Sequence, residues 1–236
     1  MIIIKDEIKM TLKGVFSAFE KTNPLRRQKR RRPLGQSLVE VAIAFPVLIM
    51  LFTGVVEFGF ILNYYLSLLD ATRESARFWS GGDPFLTDGV TTNDEFYRQV
   101  AIMVRTALDP SYISETDSFN TSYRGRRIVL DPAVDDVVVS IYGADASGVI
   151  EWRDAGPYHL FPTAGAVPGN YSSIFTDQNV ADTRVANAPN AGLLMVEVHY
   201  NYHHVLNLPW FTAVLPNPLH LQAYTIMPMR AAEPLP

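Results

Sequence analysis

The chain has 236 residues, of which 48% are hydrophobic, 19% are charged and none is cysteine. The missing cysteines exclude a disulfide framework, a thiolate nucleophile and any zinc–thiolate site. The net charge of −4 hides an asymmetry: residues 1–35 carry ten Lys/Arg against three Asp/Glu, and the remaining residues carry ten against 21, so the acidic main body is unsuited to nucleic acid.

Residues 1–35 read as a basic cytoplasmic leader holding every lysine of the chain. Within it, Ile8, Leu12, Val15, Phe16 and Phe19 fall on one side of a short helix that could lie on the inner leaflet, with Lys5, Lys9 and Lys13 beside it; the alternative is an unfolded stub. Arg26, Arg27, Lys29, Arg30, Arg31 and Arg32 then precede an apolar run. From Leu38 to Leu62 the chain is long enough to cross a hydrocarbon core of ~30 Å, and its apolar residues fall on every face, unlike those of an ordinary core helix. Positive charge stays on the cytoplasmic side, which predicts an inside N-terminus and an extracytoplasmic body from about Asn63. No small-residue cleavage site follows the run at the distance a secretory signal requires.

Gly35 marks the seam between charge and apolar run. A basic leader, a glycine, a cut, and a hydrophobic helix with glutamate at its fifth position is the order of a prepilin-type signal, and a cut between Gly35 and Gln36 makes Glu40 the fifth residue. Cleavage would create an α-amino group at Gln36 near the interface. The Glu40 carboxylate of a neighbouring subunit could neutralise it, so that neither charge is left bare; alternatively Glu40 reaches interfacial water. Glu57 lies 17 residues further along. It either reaches the outer headgroups or pairs with Arg73 or Arg77 of another subunit.

The helix is expected to continue to about Trp79, with Pro46 kinking it and Tyr64 and Tyr65 at the interface, before Ser80-Gly81-Gly82-Asp83-Pro84 ends it. Thr92 and Glu95 have capping-box spacing and open a second helix over 93–108. Strands are expected at 126–130, 136–143 and 148–152, the last two forming a hairpin, and again at 193–204 and 219–229. Residues 155–192, rich in Pro, Gly, Ala and Asn, read as a long irregular excursion, and the segment with Pro209, Pro216 and Pro218 as a loop. The sum is α+β: 1–35 leader, 36–80 transmembrane and stalk helix, and 81–236 a pilin-like extracytoplasmic domain with a helix packed on an antiparallel β-sheet.

No catalytic constellation emerges. "HYNYHH" (199–204) tempts a metal reading, but it alternates as a strand, with Glu197, His199, Asn201 and His203 forming a wet polar face. Asp135 and Asp136 point to opposite faces and make no acid–base pair. There is no Gly-x-Ser-x-Gly turn, phosphate loop or dinucleotide fingerprint. No cofactor, metal or enzymatic activity is expected.

The stretches "GQSLVEVAIAFPVLIMLFTGVVEFGF" (35–60) and "ATRESARF" (71–78) carry a resemblance. Gly35, Glu40, Pro46, Gly54, Glu57, Phe58, Gly59, Ala71, Arg73, Ala76 and Arg77 follow the pattern of the TadE-like family, minor pilins (pseudopilins) of the tight-adherence, Flp-type pilus system. Weaker similarity covers 193–230. The resemblance implies a non-enzymatic part in pilus assembly or at the pilus tip. It implies as partners the membrane, other pilins or pseudopilins, the assembly machinery and a prepilin peptidase. The competing reading is an unprocessed, membrane-anchored binding or adhesion protein of the envelope.

Overall fold

The computed structural model describes residues 34–89, 91–114, 118–120, 122, 124–125, 127–145, 148–162, 169–183 and 190–234. The leader, its basic cluster and its amphipathic stretch at 8–19 lie outside the described residues. Two compact units divide the chain, Met1–Leu48 and Ile49–Pro236.

The first element, α1 (Leu34–Trp79), is one helix with Pro46 inside it. In the first unit, residues 37–48 of α1 are exposed all round, Leu38 at 70% and Leu48 at 64%. A water-facing helix would show polar residues on its exposed side. Lipid removes that requirement, and Ser37–Trp79 is long and apolar enough to cross a membrane. In the second unit, Thr53 is the polar interruption, and its hydroxyl bonds back to the Ile49 carbonyl at 2.9 Å, which leaves no bare donor.

Beyond α1 the second unit is an α+β domain. The second helix, α2 (Asp94–Leu108), starts one residue later than the capping-box spacing suggests: Asn93, not Thr92, is the cap, its side chain accepting from the Glu95 N–H. A small pair, β1 (Tyr112–Ser114) and β2 (Ser118–Phe119), follows. The main sheet consists of β3 (Asp136–Asp145), β4 (Gly148–Glu151), β5 (Tyr158–His159), β6 (Ala191–Tyr202) and β7 (Leu219–Pro228). It runs in the order β4-β3-β6-β7 with β5 also on β3, and every pairing is antiparallel. Among the described residues, two short α-helices lie between strands, α3 (Asp177–Thr183) and α4 (Pro209–Thr212).

The expected strand over 126–130 does not form. Residues 127–130 have no strand partner; the Ile128 N–H instead bonds the Leu108 carbonyl at 2.8 Å, and Ile128 and Leu130 drop into the core as single anchors. Pro132 follows at once and donates nothing to a ladder.

Alternation divides the sheet into two faces. Val137, Val139 and Ile141 of β3 sit across from Val198, Val196 and Leu194 of β6, and all six are fully buried. They pack with Leu221 and Ala223 of β7 against Val100 and Val104 of α2 and against Leu68, Ala71 and Ala76 of α1. Two polar contacts fix α1 onto this layer: the Ser75 hydroxyl donates to the Val100 carbonyl at 2.7 Å, and the Thr72 and Thr225 hydroxyls meet at 3.0 Å.

The opposite face carries Glu197 and His199, which the alternation predicts to be wet. Both are buried. The excursion folds over them: Tyr171 stacks on the rings of His199 and His220 at 4.6 and 4.5 Å, and Glu197 accepts from the Ser173 hydroxyl and the Ile174 N–H. Val180 of α3 and Phe175 complete the cover over Tyr142 and Met195. A composition of Pro, Gly and Asn gives no periodicity from which to foresee such a lid, yet its bonds to Glu197 satisfy a buried polar group. Asp136 accepts from the N–H groups of Phe161 and Asn170 and lies 2.8 Å from His159 Nδ1.

Candidate functional site on the long helix

The residues singled out on α1 are placed in three different settings. Gly35 and Gln36 lie in the first turn of the helix. Glu40 follows within two turns and is exposed. Arg73 and Arg77 lie near the other end, exposed, where they border a groove with Met103 of α2 and Thr225, Ile226 and Met227 of β7. Arg26, Arg27, Lys29, Arg30, Arg31 and Arg32 lie outside the described residues.

Glu57 has a setting of its own. It is 1% exposed, although it sits among apolar residues that face outward. Its carboxylate accepts three hydrogen bonds from one segment of the same chain and lies beside a ring nitrogen of that segment. Oε1 takes the Tyr202 hydroxyl at 2.7 Å and the Val205 N–H at 2.9 Å, with His204 Nδ1 at 3.3 Å, and Oε2 takes the Leu206 N–H at 2.9 Å. These partners all come from residues 202–206 of the same chain, and Arg73 of the same helix lies 16 residues away, ~24 Å along it.

The tautomer of His204 follows from what surrounds it. Nε2 lies 2.9 Å from the Pro216 carbonyl, which can only accept, so Nε2 carries a proton. The arrangement is a buried carboxylate enclosed by a phenol, two backbone N–H groups and the His204 ring, which together supply the polar partners a buried carboxylate needs. Burial, together with the carboxylate beside it, pushes the Tyr202 phenol well above its ordinary range, so it remains a donor. Phe211 of α4 closes the site edge-on to the His204 ring at 5.0 Å.

The sequence concealed these partners because they lie 145 to 149 residues from Glu57. The available signal was the segment itself: from Val205 to Pro218 there is no Asp, Glu, Lys or Arg. That is unusual for a connection of this length on a surface.

The clasp holds a loop against a helix. Elsewhere, His199 Nδ1 and His220 Nε2 are 3.2 Å apart, and burial lowers the His220 pKa. Burial raises the pKa of Asp135, against the Asp131 and Asn201 N–H groups that bond it. Among the described residues no group of three or more His, Asp or Glu is arranged to hold a metal ion.

No curated protein and no solved structure matches the chain. The family model described as TadE-like protein matches residues 35–77, the length of α1 that carries Gly35, Glu40, Glu57 and both arginines.

Proposed function

We propose that the chain is a minor pilin, or pseudopilin, of a Tad/Flp-type pilus system, acting without catalysis in assembly or at the pilus tip. The observation that carries this reading is the coincidence of the TadE-like match at 35–77 with a helix long and apolar enough to cross a membrane. The chain crosses the membrane once, N-terminus in the cytoplasm, as the basic cluster at 26–32 requires. A prepilin peptidase cuts after Gly35. Glu40 then meets the new amine of a neighbouring pilin's first residue, a pairing of opposite charges in a poorly hydrated layer.

Co-expression with a prepilin peptidase and mass measurement of the mature chain tests the cut. The expected N-terminal residue is Gln36. An intact Met1 overturns processing and favours an anchored envelope protein instead. Glu40→Ala is expected to insert into membranes normally but to co-purify poorly with partner pilins; unchanged co-purification removes the pairing role.

A further inference from the structure

The clasp at Glu57 fixes more than a loop. Glu57 lies five residues before Leu62, so the Val205 and Leu206 backbone it holds sits ~7.5 Å below the end of the apolar stretch. At that level α1 itself shows apolar side chains outward: Val55 is 70% exposed, Phe58 62% and Leu62 45%. The loop presents the same chemistry. Val214 is 81% exposed, Val205 51% and Trp210 38%, and no formal charge occurs from Val205 to Pro218.

Most of the backbone of this loop also suits a medium poor in water. Such a medium penalises every unpaired N–H. The N–H groups of Val205 and Leu206 go to Glu57, those from Phe211 to Leu215 go to carbonyls of the loop itself, and Pro209, Pro216 and Pro218 have none to satisfy.

We propose that residues 205–215 are a second membrane contact, an interfacial wedge seated in the headgroup–acyl boundary of the leaflet that the distal end of α1 crosses. The occupant of this apolar surface is phospholipid. The continuity of the loop with the exposed apolar face of α1 at the same depth argues for it, and the depth falls within the ~5–10 Å typical of interfacial segments. Trp210 then takes the place of an interfacial aromatic anchor. Glu57 is charged at this depth because Tyr202, His204 and the loop backbone enclose it, not lipid. The inference rests on the reading of α1 as a membrane span.

Because the chain has no cysteine, single cysteines can be placed without background. The full chain carrying Val214→Cys, Leu51→Cys or Asp154→Cys is labelled with an environment-sensitive fluorophore and reconstituted into phosphatidylcholine vesicles, with and without a mixture of lipids spin-labelled near the glycerol end and near the methyl end of the acyl chain. The proposal expects loss of emission at Val214 and at Leu51, and none at Asp154. Quenching at Leu51 without quenching at Val214 overturns the wedge and leaves the span standing. Quenching at neither position overturns both. Blue-shifted but unquenched emission at Val214 means that protein, such as a second copy, covers the loop, and overturns the lipid assignment.

Discussion

At the scale of single residues, Glu57 is the most consequential side chain, because four groups meet it. Glu57→Ala leaves the Val205 and Leu206 N–H groups and the Tyr202 hydroxyl without their acceptor and the His204 ring without its neighbour. Leaving a buried donor unsatisfied costs about 1–3 kcal/mol. The expected result is a lower unfolding midpoint in detergent and faster hydrogen exchange at Val205 and Leu206, with the amides of α2 unchanged. Glu57→Gln keeps one accepting oxygen and is expected to fall between. Gly169 is a second such position. Its φ of +95° is open to glycine, and a methyl group there would meet His159 Nδ1 and Asp136 Oδ2. Gly169→Ala is therefore expected to lose at least the ~1–3 kcal/mol of a strained backbone position, read by thermal melting. Glu151 supplies a pH dependence. Burial, with Asp177 adding repulsion, raises its carboxyl to about 7. Between the ordinary carboxylate range and about 7, the folded state holds a proton that the unfolded state has released, so stability falls as pH rises through that window. Glu151→Gln is expected to flatten this fall and to melt higher than the parent at pH above that window. Equal melting of the two proteins at alkaline pH would refute it.

At the scale of elements, legibility followed periodicity. The strands at 136–145, 191–202 and 219–228 announced themselves because their inward residues alternate and are β-branched or aliphatic. The helix at 94–108 did so through Phe96, Val100 and Val104 on one side. Two things were not legible for one reason: neither has a local signature. The cover on the second sheet face is built from hydrogen bonds between Ser173 or Ile174 and Glu197, and from Tyr171 between two histidines, so its logic lies in what it covers. The partners of Glu57 likewise come from the far side of the sequence. The polar side of β6 looked solvated because nothing in the strand distinguishes water from a lid of polar groups. This cover should behave as a unit: Glu197→Ala is expected to accelerate hydrogen exchange at Ile174 and Phe175 while leaving β3 and β6 protected. Unchanged exchange would mean that the stacking of Tyr171 alone holds the segment.

At the scale of the whole molecule, charge and apolarity divide the labour. The lysines all precede Gln36, the apolar surface of α1 fills the next stretch, and the acidic body follows. This order predicts topology, and topology can be measured on the same cysteine-free background. Asp88→Cys in intact cells with a permeable outer envelope is expected to react with a membrane-impermeant maleimide, because the proposed orientation puts the body outside the cytoplasm. Labelling only after lysis would reverse the orientation.

The attachments between α1 and the domain also set how the molecule carries load. Glu57 to Val205 and Leu206, Thr72 to Thr225, and Ser75 to Val100 are spread over 18 residues of the helix, ~27 Å. A tension applied along the helix axis strains all three together, as a shear, instead of peeling them one after another. Rupture then requires simultaneous loss of the set. In single-molecule pulling, the parent is predicted to yield in one high-force event, and the triple variant Glu57→Gln, Thr72→Val, Ser75→Ala to yield at lower force. A filament component that is tugged through its helix would keep its head attached by this geometry.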